Sequence, residues 1–314
     1  MSVLSYDGRY SNRLNRVLNY VHRHDEKNLQ LDSLADLACL SKYHFARVFQ
    51  DVIGESPVSF LKRTRLEKAA SMIKYEYDLP ILEIALRCGF SNSQLFSRKF
   101  GDHFGLCPRQ YRIDHRNRLE DQSGSGFIQS IHGIFDDICI NNNVLISADI
   151  IDLVQLAPTQ VAYVRSLGSY GGCDNIGKAE VDLEDWALEH ELWTESSSII
   201  GISWDYSSIT PSGMCRYDVC VPVPMDYVNN SGISLQTIPG GMYAMARFPY
   251  SHFGELVSIW SWFYLMVASS DKFKNFKTDF TIGPWYEIYK PYCDDSGNVV
   301  ELYAYLPPMG TNII

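Results

Sequence analysis

Residues 91–111 read SNSQLFSRKFGDHFGLCPRQY, and residues 41–60 read SKYHFARVFQDVIGESPVSF. The two are copies of one pattern. Phe45, Arg47, Phe49, Gly54 and Pro57 spell FxRxFxxxxGxxP, and Phe96, Arg98, Phe100, Gly105 and Pro108 spell it again 51 residues later. An aromatic residue, Phe60 or Tyr111, follows each proline by three positions. Upstream, Ala35 and Ser41 match Ala85 and Ser91 at an offset of 50, so one extra residue sits after the second serine. Self-similarity at a fixed period marks one supersecondary unit used twice.

Each copy has the layout of a short helix, a tight turn and a second helix. LDSLADLA (31–38) and PILEIALR (80–87) carry the first helices, and Ser41 and Ser91 stand where the second helices need N-caps. Gly54, Gly89 and Gly105 stand where helices should stop. In each second helix the Phe pair, four apart, must face inward. That turns Tyr43, His44 and Arg47 outward in one copy and Asn92, Ser93, Gln94, Ser97 and Arg98 outward in the other. These residue types read base edges: Arg forks onto guanine, Asn or Gln onto adenine, and Tyr packs against thymine methyls. An ordinary helical bundle with solvated arginines would share the periodicity, but not the duplicated arginine, the paired caps and the local charge together.

That charge is hidden in the average. The chain of 314 residues has a net charge of −10, yet residues 1–118 hold 19 Lys and Arg against 13 Asp and Glu, and residues 119–314 hold 8 against 24. A basic module is fused to an acidic one, the footprint of a front end that meets phosphate and a rear end that does not. The eight cysteines show no metal spacing and read as reduced, mostly buried thiols, so no metal and no cofactor is expected. No apolar stretch reaches membrane-spanning length, and MSVLSYDGRYSNRLNR lacks the apolar core of a secretion signal, so the expected location is the cytoplasm.

Residues 9–118, with the linker-helix pattern RLEKAASMI (65–73) and the stretch IALRCGFSNSQLFSRKFGDHFGLCPRQYR (84–112), resemble the DNA-binding domain of the AraC/XylS regulators. The resemblance implies an all-α double helix-turn-helix domain whose two recognition helices enter successive major grooves about 34 Å apart. Double-stranded DNA is then the expected partner, with RNA polymerase as a second, and the expected role is transcription activation. Lys42, Lys62, Arg63, Lys99 and Arg112 are expected at phosphates, near helix ends and on the connecting helix. Cys39 departs from the pattern, since the second copy has Gly89 there, so the first turn is expected to be strained or differently shaped.

EDQSGSG (120–126) opens a linker, taken as 119–148. Beyond it the rear half, an α+β domain, also repeats. APTQVAYVRSLGSY (157–170) and IPGGMYAMARFPYS (238–251) each lead to a Trp-bearing helix, at about 175–193 and 252–268. A Gly-led segment follows in each (GISWDY, GPWYEIY), then a closing strand that ends in proline. Two βαββ units about a pseudo-twofold axis account for this. Residues 149–309 resemble the GyrI-like effector-binding domain, through PGGMYA, WYEIY and VELYAYLPP, a domain that also follows AraC-type modules in Rob-like regulators.

That resemblance implies a small-molecule effector, a lipophilic cation of the kind met in multidrug sensing, received by Glu287 with Tyr289 nearby. A carboxylate in an apolar cleft favours a cation, and aromatic faces add cation–π attraction. Candidate walls are Tyr163, Trp204, Tyr206, Trp260, Phe263, Trp285, Tyr289, Tyr303 and Tyr305. Three other readings compete: Glu287 paired with Arg247 or Lys290 in a plain core, Glu287 as the base of a small hydrolase, and the acidic domain as a protein-interaction module.

Overall fold

The computed structural model describes residues 8–23, 29–75, 79–123, 151–170, 173–194, 197–250, 285–292 and 299–306, with isolated positions between 260 and 276. Most of the expected linker, from residue 124 on, falls outside these residues, as does most of the expected helix at 252–268.

The front half is helical. Helix α1 (Gly8–Arg23) precedes α2 (Leu31–Leu37) and α3 (Lys42–Ile53), the first helix-turn-helix. The long α4 (Pro57–Tyr75) connects to α5 (Ile81–Arg87) and α6 (Ser93–Phe104), the second, and α7 (Pro108–Ser123) follows. Because α7 runs to Ser123, the first residues of the expected linker are helical. Each unit buries its own Phe pair: Phe45 and Phe49 pack with Leu14, Leu18 and Phe60, while Phe96 and Phe100 pack with Leu66, Ile73 and Ile84. α4 contributes Phe60 to one core and Leu66 to the other, so it fixes the two units relative to each other.

The two turns have one hydrogen-bond pattern. Cys39 N–H donates to Asp36 and Leu40 N–H to Ala35; Gly89 N–H donates to Leu86 and Phe90 N–H to Ala85. Cys39 therefore adopts the left-handed conformation, φ 54°, where the second unit has glycine at 80°. The first turn is strained rather than differently shaped, at a cost of roughly 1–2 kcal/mol for an L residue. The caps differ from expectation too. Ser41 holds the N-cap of α3 without a side-chain hydrogen bond, and α6 is capped by Asn92 rather than Ser91.

The rear half is one antiparallel sheet ordered β1-β6-β8-β7-β3-β4-β2-β5. Its strands are β1 (Ile151–Leu156), β2 (Thr159–Leu167), β3 (Ile199–Ser203), β4 (Arg216–Pro222), β5 (Ser234–Ile238), β6 (Gly241–Tyr250), β7 (Trp285–Tyr292) and β8 (Val299–Leu306). Helix α8 (Cys173–Glu189) lies between β2 and β3. The two repeats meet where β3 pairs with β7. Each repeat has one strand more than expected, and these strands are exchanged: β1 precedes the first repeat but pairs with β6 of the second, while β5 precedes the second but pairs with β2 of the first.

Alternation along the strands gives the sheet two unlike faces. Ala162, Tyr217, Val219 and Val221 point to α8. Tyr163, Ile200, Ile202, Trp204, Tyr286 and Tyr305 form a core on the other face. The front half docks on that second face. Asn15 and Asn19 of α1 donate to Ser234 Oγ at 2.9 Å and Tyr163 Oη at 3.2 Å, and His22 sits edge-on to Trp204 at 4.8 Å between centroids.

Candidate functional site

Helices α3 and α6 present their outer faces to solvent. Tyr43 is 88% exposed, and Arg47, Gln94 and Arg98 are exposed at the positions that helical spacing assigned them. His44, Ser93, Ser97 and Lys99 are half-buried. His44 Nε2 is 3.1 Å from Tyr10 Oη, so α1 orients its ring. Lys42 lies 2.9 Å from Asp32 with both side chains exposed, a pairing of little energy that leaves the ammonium at the surface, and Lys62 is exposed as well.

Three expected contacts are engaged elsewhere. Asn92 Oδ1 accepts the Leu95 N–H at 2.7 Å, so the carboxamide caps α6 instead of reaching a base. Arg63 is only 7% exposed and bonds Glu55 at 2.5 Å and Glu67 at 2.9 Å, which removes its guanidinium from any phosphate. Arg112 of α7 donates to the carbonyl of Leu79, in the connection between α4 and α5, at 2.7 Å. In each case a group of the protein itself, the Leu95 N–H, the Glu55 and Glu67 carboxylates or the Leu79 carbonyl, competes with solvent for the side chain, and single-helix patterning carries no sign of it.

The rear site is built around Glu287 in β7, 1% exposed. Tyr217 Oη donates to Oε1 at 2.8 Å, Tyr289 Oη to the same oxygen at 3.2 Å, and Trp260 Nε1 to Oε2 at 3.0 Å. These donors are all neutral. Burial pushes the carboxyl from its ordinary 4.5 up to about 7, and the three donors only moderate the rise. Gly201, directly across from Glu287 in β3, makes the space: a Cβ there would stand 1.8 Å from Tyr217 Oη and 3.1 Å from Glu287 Cγ. An aromatic wall runs outward from the carboxyl. Trp260 stacks on Trp285 at 5.4 Å and leans on Phe263 at 5.9 Å, and Trp285 meets Tyr206 edge-on at 4.6 Å.

Tyr289, Trp260, Phe263, Trp285 and Tyr206 thus gather on one side with Glu287, while the other candidates do not. Trp204 is an odd number of residues from Gly201 in one extended run, so it faces away. Its Nε1 donates to Asp218 at 2.7 Å. Tyr163 belongs to the same junction through Asn19, and Tyr303 and Tyr305 lie on that opposite face as well. Arg247 lies over the Tyr303 ring at 6.0 Å, on the far side of the sheet from Glu287, which removes it as the pairing cation; the Lys290 side chain is outside the described residues. Tyr217 was missing from the sequence candidates.

Residues 34–113 match the helix-turn-helix domain family, and residues 151–304 match the GyrI-like small molecule binding domain. A stretch of 99 residues is 35% identical to the HTH-type transcriptional regulator AlkR of Acinetobacter baylyi, 32% of each chain, so the match spans about a third of that regulator's length. Over 103 residues the chain is 33% identical to the probable transcription factor PqrA of Proteus vulgaris, 32% of this chain and 84% of that one. Among solved structures, the DNA-binding domain of AdpA in complex with a target DNA is 28% identical over 34% of this chain and 96% of its own, with a TM-score of 0.33. The chain belongs to the AraC-type helix-turn-helix family of transcription regulators and carries a GyrI-like small molecule binding domain behind its DNA-binding one.

Proposed function

We propose that this regulator reads DNA through Tyr43, His44, Arg47, Gln94 and Arg98, and that its rear domain receives a lipophilic cation at Glu287 and acts as a sensor rather than an enzyme. The observation that carries the sensor reading is the uncompensated acid. Among the described residues, the buried carboxylates Asp218 and Glu67 each have an arginine, whereas Glu287 has only neutral donors. A buried anion without a counter-ion rewards a cationic ligand, and the Trp260–Trp285 wall suits an apolar one. Transcription activation in the cytoplasm, with RNA polymerase as partner, completes the proposal. It is supported by the exposed Val181 and Leu188 of α8 among Glu184, Asp185 and Glu189, a surface suited to a basic protein.

Calorimetry with tetraphenylphosphonium tests the sensor. The wild type should bind, more tightly at pH 8 than at pH 6, and Glu287→Gln should weaken binding about tenfold or more; equal affinity in the two proteins defeats the reading. A carboxyl near 7 also suits a general base. Glu287-dependent turnover of a reactive ester would favour that hydrolase reading. For the front domain, Arg98→Ala or Arg47→Ala should cost about 1–3 kcal/mol on DNA selected from a random pool and relax preference at one base pair. A variant that kept full sequence preference in a gel shift would overturn the register.

A further inference from the structure

The segment between β3 and β4 touches both sites. At its pocket side, Tyr206 packs edge-on against Trp285, which stacks on Trp260, whose N–H holds Glu287. At its other side, Ile209 packs into the core of the second helix-turn-helix unit. Thr210 Oγ1 donates to Glu67 of α4 at 3.0 Å, and Ser208 Oγ accepts from Lys74 of α4 at 3.1 Å. The two ends are joined within one turn. The Tyr206 carbonyl accepts the N–H groups of Ile209 at 2.8 Å and Thr210 at 2.7 Å, so the residue that feels the wall also holds the two anchors.

We propose that residues 204–214 are the surface through which occupancy at Glu287 alters DNA binding, with Tyr206 reporting the position of the Trp260–Trp285 wall to α4. This rests on the sensor reading above. The carboxyl is closed to solvent, so a ligand reaches it only by displacing part of its cover, and that wall is the part that continues into Tyr206. Glu67 is tied to Arg63 and Arg63 to Glu55, which carries a shift at Thr210 along α4 toward the first unit. Since α4 contributes to both cores, its position sets the spacing of α3 and α6 on the duplex. Coupling of this kind is reciprocal: whatever factor the ligand imposes on DNA affinity, DNA imposes on ligand affinity.

The test uses the full chain, tetraphenylphosphonium, and a DNA fragment that the wild type selects from a random pool. Saturating phosphonium should change wild-type DNA affinity about fivefold or more. Tyr206→Leu keeps apolar bulk but removes the ring that Trp285 leans on. It should bind DNA alone as the wild type does, within about twofold, and lose the change even at phosphonium concentrations that saturate the variant in calorimetry. A Tyr206→Leu protein that kept it would overturn the proposal. A second arm needs no ligand: Trp285→Ala, which breaks the wall directly, should alter hydrogen exchange in residues 57–75 and shift DNA affinity, and should do neither when combined with Tyr206→Leu. Should the wild type ignore phosphonium, the ligand reading fails alone; should Trp285→Ala leave α4 exchange and DNA affinity untouched, the coupling fails.

Discussion

Asp218 and Glu287 are buried in one sheet, two strands apart, and are treated in opposite ways. Asp218, fully buried, takes the Arg165 guanidinium at 2.6 and 2.8 Å, the Trp204 N–H and the Gln236 amide. Arg165 in turn donates to Asn19 of α1 at 2.8 Å, so that carboxylate belongs to the joint between the halves of the molecule. Among the described residues, Glu287 receives three hydrogen bonds and no charge. The difference teaches that burial alone says little about a carboxylate's role. A counter-ion inside the fold makes it structural, and its absence leaves the group waiting for one.

The sharpest way to break this contrast is to remove the internal counter-ion. Arg165→Ala leaves Asp218 alone in the interior and should cost about 3–5 kcal/mol in urea denaturation. A loss below about 1 kcal/mol would place the two acids in one class.

Next comes the pH dependence of Glu287. Its folded value, about 7, lies above its ordinary 4.5, so this group favours the folded state fully below 4.5, and the advantage is lost as pH rises through 7. The loss is on the order of 3 kcal/mol. Glu287→Gln lacks this titration, so its Tm relative to wild type should climb between pH 5 and pH 8. Parallel curves would mean that the carboxyl is not strained by burial.

The smallest effect sharpens the assignment of donors. Trp260→Phe removes one neutral hydrogen bond to Glu287, worth about 1 kcal/mol. It should move the midpoint of that pH dependence upward by about half to one pH unit. An unmoved midpoint would remove Trp260 from the site.

The front half was legible because its signal is local. A duplicated FxRxF string fixes which helical face is buried, and the same string leaves Arg47 and Arg98 outside. Even there, the pattern did not mark that Asn92 caps α6 through the Leu95 N–H or that Arg63 is held by Glu55 and Glu67. The rear half was legible as strands but not as pairings. The run VQLAPTQVAYVRSL holds two strands that Pro158 separates and that never pair with each other. Tyr217 went unnoticed because its partner lies 70 residues away, although alternation in RYDVCVP already placed it opposite Asp218. Gly201 was read as a landmark of the repeat. Its reason, room for the Tyr217 hydroxyl, appears only once β3 and β7 are side by side.

The exchange of β1 and β5 bears on how the rear half is divisible. A first half cut before β6 would keep β5 but strand β1, and a second half would lack the edge that β1 supplies. Each fragment would expose unpaired backbone that another copy could satisfy, so a severed half is built to associate with its complement rather than to stand alone. Seen this way, the rear domain is an intertwined pair fused into one polypeptide, and its seam, β3 against β7, is where Gly201 and Glu287 meet.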